Sequence, residues 1–117
     1  MDDPDRFLPL PPVMFEVLLC LLDGARHGYA IKREVAVRSS GKVRPGAGAL
    51  YGAIDRMVEK GLLKESETRP DQHLDDERRR YYRLTALGRA TAKAELWRLQ
   101  ALVEYCRSKA FFSGEEA

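Results

Sequence analysis

Apolar residues gather in separate stretches along this chain, and each stretch has its own spacing. From 13 to 22 almost every position is apolar, after Pro11-Pro12 and before Asp23-Gly24. Proline suits a first helical turn and Asp-Gly stops one, so this stretch predicts a helix apolar nearly all round, hence buried. A short turn over 25–28 leads to a second helix over 29–38, with Ile31 and Val35 on one face and Ser39-Ser40-Gly41 at its end. Residues 42–44 allow no more than a single extended rung, and 45–48 form a turn or helix entrance. Leu50, Ile54, Met57 and Val58 then follow the helical i, i+4, i+7, i+8 stripe and stop at Gly61. Tyr51, Gly52, Asp55, Arg56 and Glu59 occupy the opposite face. Residues 62–69 and 79–84 read as two strands joined by the polar connector 70–77. In the second strand Arg80, Tyr82 and Leu84 share one face, and Arg79, Tyr81 and Arg83 the other.

Thr85 is a good N-cap for a last helix running to about Ser113. Such a helix has about 27 residues and spans some 40 Å at ~1.5 Å per residue, so part of it must project beyond a small core. Leu99, Leu102, Val103, Cys106 and Ala110 form a second apolar stripe on the projecting part, which a partner helix of a homodimer would cover. Packing back onto the first helix is the alternative, and Phe111-Phe112 suit either arrangement. Trp97, the only tryptophan, lines up with Leu87, Ala90, Ala94 and Ala101. It reads as a core or interface aromatic, or as the flat wall of a pocket for a small aromatic effector.

Three helices, a hairpin and a long trailing helix give an α+β fold, mostly α. This is the layout of a winged helix-turn-helix with a long C-terminal dimerisation helix, whose third helix would enter a DNA major groove. The expected divisions are a flexible N-terminal arm over 1–10, a winged-helix DNA-binding domain over 11–85, and a dimerisation helix over 86–117.

Charge sharpens this layout. The net charge is only +2, but residues 1–25 carry −4, residues 26–83 carry +5 and residues 84–117 carry +1. The basic middle holds Arg78-Arg79-Arg80 and Arg83, which suggests a polyanion partner; a solvated charged surface is the plain alternative. Asp75-Asp76-Glu77 stand directly before those arginines. At a wing tip they would repel phosphate, and neutralising them is expected to strengthen non-specific binding. Cys20 and Cys106 lie in apolar helical stretches and read as buried thiols, not a disulfide framework. No apolar run nears the roughly 20 residues a membrane helix needs. The N-terminus lacks the positive region of a signal peptide, so a cytoplasmic protein with no membrane partner is expected. His27 sits in a corner and His73 in a polar loop, and no nucleophile–base or phosphate-loop pattern is present. The expectation is no enzyme, no metal site and no cofactor.

The residues add a more specific indication. His27-Gly28-Tyr29, Leu50-Tyr51, Lys60-Gly61-Leu62-Leu63 and 79–85 with Leu87-Gly88, in this order, resemble the PadR family of bacterial transcriptional regulators from about Val13 to Gly88. The single trailing helix resembles its shorter subfamily. The resemblance implies a winged-helix fold, a C-terminal dimerisation helix and repression at a roughly palindromic site on double-stranded DNA. It places Tyr51 and Arg56 on the exposed face of the recognition helix, and Arg78, Arg79 and Arg80 in the wing. It makes Tyr29 a wedge and His27 a hydrogen-bonded corner residue. Some members resembling multidrug-responsive regulators carry a tryptophan lining a pore between subunits, the role Trp97 would take. The chain departs from the family where Ala49 replaces a common Thr or Ser and Gly52 a longer residue. Gly52 also weakens the helix by about 1 kcal/mol relative to Ala. DNA affinity would then lean on Lys42, Arg44 and the wing, or on close approach of the backbone. The alternative function is a protein-interaction dimer on a winged-helix scaffold with little DNA affinity.

Overall fold

The computed structural model describes residues 3–67 and 79–109. Helix α1 spans Pro12–Cys20, strand β1 Arg26–His27, α2 Gly28–Arg38, α3 Ala47–Glu59, β2 Leu63–Ser66, β3 Tyr81–Leu84 and α4 Ala86–Arg107. The strands form an antiparallel sheet in the order β1-β3-β2. Its register pairs Leu63 with Leu84 and Ser66 with Tyr81 on one side of β3, and Arg26 with Tyr82 and His27 with Tyr81 on the other. β1 lies where a turn was expected; two residues are too few to leave an alternation in the sequence.

The core is one cluster. Val17, Leu18 and Leu21 from the first helix and its end meet Ile31 and Val35 of α2, Leu50, Ile54 and Met57 of α3, and Leu63, Tyr82 and Leu84 of the sheet. Tyr81 is fully buried on the other side of β3, its ring edge-on to His27 at 5.2 Å. Both faces of β3 are therefore covered, although alternation alone would leave one open. Arginines from three other elements meet carbonyls of α1 and of the segment after it. Arg38 Nη2 donates to Glu16 O at 3.0 Å, Arg26 Nε to Cys20 O at 2.9 Å and Arg89 Nη2 to Leu22 O at 3.4 Å. Of these carbonyls Cys20 O stands at the negative end of the helix, Glu16 O lies one turn earlier and Leu22 O lies beyond it. Arg38 also pairs with the Glu16 carboxylate.

The helix stops follow local rules. After α3, Gly61 takes φ +81°, its N–H meets Val58 O at 3.0 Å and the Leu62 N–H meets Met57 O at 2.9 Å. This is a Schellman closure, with Leu62 buried behind it. α2 closes in the same way, but Ser40 takes the left-handed position at φ 55°. Thr85 caps α4 as expected, accepting from the Gly88 N–H at 3.0 Å while its hydroxyl donates to Gly61 O. Gly88 lies so close to β2 that a Cβ there would stand 2.0 Å from Leu62 O.

α4 ends at Arg107, short of the expected Ser113, and its 22 residues span about 33 Å. Its buried residues, Gly88, Thr91, Ala92 and Glu95, all lie in the first half. Beyond them Leu102 and Val103 are exposed, and Leu99 and Cys106 half-buried, so the helix projects. Cys20 is buried and Cys106 is not fully so, which corrects the expectation of two buried thiols. Burial pushes the Cys20 thiol up, against the Arg38 contact, which favours the thiolate. Ala110, Phe111 and Phe112 lie outside the described residues, as do Arg78, His73 and the acidic run 75–77.

Residues 3–10, set apart in the sequence as a flexible arm, form a short 3-10 turn over Pro4–Phe7 that packs against α4, and Leu10 lies in the core. The Leu10 N–H donates to Glu95 Oε2 at 2.7 Å, and Glu95, 2% exposed, is also bonded to Arg98. The Arg98 guanidinium holds the Glu95 carboxyl below the usual carboxylate range, with the Leu10 N–H helping and burial opposing.

Candidate nucleic-acid interface

Two clefts lie side by side on one face, with Tyr29 as their common wall. The first, of about 410 Å³, is lined by Gly28 and Tyr29 of α2, Tyr51 and Asp55 of α3, and Arg79, Arg80 and Tyr82 at the root of the wing. The second, of about 330 Å³, is lined by Tyr29, Lys32, Arg33 and Ala36 of α2 with Arg44 and Pro45.

The sequence builds the first cleft through close packing at the start of α2. Tyr51 is 41% exposed, and its ring edge rests on Gly28, where a Cβ would meet Tyr51 Cε1 at 2.4 Å. A side chain at position 28 would push that ring off its place. Tyr29, 51% exposed, is flanked by the Arg33 and Arg79 guanidinium groups, each 5.8 Å from its ring centre. Cationic groups over an aromatic face are mutually attractive, so both arginines are gathered at this wall. Burial pushes the Tyr82 hydroxyl up, so it stays neutral and polar at the cleft floor.

The structure brings together Tyr51, Arg79 and Arg80 in one cleft and adds Arg44 in its neighbour. Lys42 is exposed between α2 and α3 but lines neither cleft. Arg56 stands apart, at a depression shared with Arg6, Phe7, Leu10 and Lys60. Lys32 and Arg33 were not singled out from the sequence. The signal was available, since both fall outside the buried stripe of Ile31 and Val35. A Cβ at Gly46 or Gly48 would meet nothing within 4 Å, and Gly46 caps α3 without a side-chain hydrogen bond. The start of α3 therefore presents bare backbone N–H groups.

The second feature is a groove of about 970 Å³ along α4. It is lined on α4 by Ala86, Ala90, Ala94 and Trp97 with the cations Arg89, Lys93 and Arg98, and on the chain start by Asp3, Pro4 and Leu8. Trp97 is 65% exposed, so it is no core aromatic of the single chain. Among the described residues no helix is long and apolar enough to cross a membrane.

A helical core, a three-stranded wing sheet and a projecting last helix define a winged-helix transcription-regulator fold. A PadR family regulator from Clostridium difficile shares it with a TM-score of 0.67 at 21% identity, over 84% of this chain and 97% of that one. RosR of H. salinarum matches with a TM-score of 0.64 at 28% identity, over 93% and 96% of the two chains. The description "Transcriptional regulator PadR-like family" fits residues 17–94, and the chain belongs to that family. Its members are transcriptional regulators, not enzymes, in line with the sequence expectation. An uncharacterized protein of Lysinibacillus sphaericus is 30% identical over 74 residues, 63% of this chain; the match spans 65% of that relative's length.

Proposed function

We propose that this chain is a dimeric DNA-binding repressor acting in the cytoplasm on a roughly palindromic site. The observation that carries the proposal is the shared cleft: a recognition-helix tyrosine and two wing-root arginines, from segments far apart in sequence, face the same space. In this reading Arg79, Arg80, Arg44, Lys32 and Arg33 take backbone phosphates, and the open start of α3 approaches the base edges. Lys42 and Arg56 contribute from the periphery, and Arg78, next in sequence to the wing-root pair, adds a further cation. Two α3 helices of a dimer would enter successive major grooves about 34–36 Å apart. Leu99, Leu102, Val103 and Cys106 supply the paired surface of the projecting helices. Ala110 would continue that stripe. The Trp97 groove is the place for a small aromatic effector, which would act by changing the angle between the two wings.

The test is binding of the purified protein to fragments of its own upstream region at several salt concentrations. Tight saturable binding to one fragment, weakened by salt and by an Arg79→Ala/Arg80→Ala double substitution, is expected. Because each lost phosphate contact removes about 0.9 from the slope of log K against log salt, the double variant should lose about 2. Equal weak binding to every fragment would leave only a basic surface. One observation favours the second reading, a protein-interaction dimer with little DNA affinity. The exposed face of α3 is short of donors at Gly48, Ala49 and Gly52 and carries the acids Asp55 and Glu59. Absence of DNA binding even at low salt would select it.

A further inference from the structure

His27 touches three parts of the interface at once. It ends β1, caps α2 and faces the root of the wing. Its ring is buried, edge-on to Tyr81 and stacked at 6.4 Å from Tyr29. Its Nδ1 accepts from the Ala30 N–H at 3.1 Å, and its Nε2 lies 3.1 Å from Arg79 Nη1. A neutral imidazole has one acceptor nitrogen. The helix cap and the Arg79 contact therefore draw on opposite tautomers of the same ring.

We propose that His27 is a positioning residue for DNA binding: in the tautomer with Nε2 unprotonated it accepts from Arg79 and sets that guanidinium at the Tyr29–Tyr51 cleft, and the Ala30 N–H then gives up its Nδ1 acceptor. The inference rests on the DNA-binding reading above. A guanidinium has five N–H donors, so one bond to His27 leaves others for a backbone phosphate. An arginine already held in place loses less rotamer freedom when DNA arrives. Arg33, also 5.8 Å from the Tyr29 ring centre, and Asp55 in the same cleft act on this group by charge, one repelling and one attracting it.

Two substitutions separate the roles of the ring. His27→Asn puts an amide oxygen near the place of Nδ1; it caps the helix but does not reach Arg79. His27→Gln puts the amide oxygen near the place of Nε2; it keeps an acceptor for Arg79 without capping the helix. The measurements are the salt slope for a mixed-sequence DNA duplex, which reads phosphate contacts, and the thermal midpoint of each variant. Arg79→Ala should lower the slope by about 0.9. His27→Asn should lower it by a similar amount with a midpoint at or above that of the wild type, and adding Arg79→Ala to it should lower the slope no further. His27→Gln should keep the wild-type slope with a midpoint no higher than that of the wild type, since neither the Nδ1–H ring nor the glutamine caps α2. A wild-type slope in His27→Asn or in Arg79→Ala would overturn the inference, as would slope losses that simply follow the midpoints. If the wild-type protein itself shows no salt-dependent binding, the DNA-binding reading has failed and the inference falls with it.

Discussion

Ser40 holds a left-handed backbone conformation that L side chains enter only at a cost, and it does so at the closure of α2. The helix accepts the strain because both closing hydrogen bonds form, Gly41 N–H to Ala36 O at 2.7 Å and Ser40 N–H to Val37 O at 3.1 Å. Ser40→Gly should therefore stabilise the protein by about 1 kcal/mol, measured as a rise in the urea midpoint at unchanged slope. Glu95 gives a prediction with a sign. Its carboxyl is held low by Arg98, so its contribution is complete above the ordinary carboxylate value of about 4.3. That contribution fades as pH falls through the lower folded-state value. Glu95→Gln should lower the thermal midpoint at neutral pH, and the gap to the wild type should close in acid. A gap that stays constant down to about pH 3 would show that the charge of Glu95 does not matter.

Among the elements, those with local punctuation were legible. α3 carries its stripe and its glycine stop, and α4 starts at Thr85 because that threonine caps it. Elements that depend on distant partners were not. β1 exists because Arg26 and His27 find β3, 54 or more positions further along the chain by their register with Tyr81 and Tyr82. Carbonyls of α1 and of the segment after it are held by arginines from β1, α2 and α4, and no spacing within 13–22 announces them. The candidate interface divides in the same way. Tyr51, Arg79 and Arg80 follow from motif and order, whereas Arg56 lines a separate depression with Arg6 and Lys60 and lies back over Gly52, which the stripe does not encode. α4 offers the test at this level. Its second half exposes Leu102 and Val103 to solvent in the single chain. A Leu102→Asp/Val103→Asp variant should sediment as a monomer and keep the helical signal of the winged-helix part. Wild-type mass in that variant would move the dimer contact elsewhere.

Across the whole molecule, the two candidate surfaces are joined through the start of the chain. Residues 3–8 wall the α4 groove, Leu10 enters the core, and α1 follows at once from Pro12. The Glu95 bond to the Leu10 N–H is the fixed point between them. A compound seated against Trp97 would touch both α4 and this wall. Any change it makes there has a short covalent route to α1, whose carbonyls Arg26 and Arg38 hold.

The glycines of this chain also differ in what they permit over evolutionary time. Gly88 is hemmed in by the Leu62 carbonyl and Gly28 by the Tyr51 ring, so neither position admits a new side chain without disturbing its neighbours. Gly46 and Gly48 face open space, and Gly52 meets only the Arg56 side chain at 3.6 Å. Single substitutions at these three positions add chemistry to the start of α3 and leave the scaffold untouched. If α3 reads DNA, positions 46, 48 and 52 are where target preference can drift, or be rewritten by design, without crowding a neighbour.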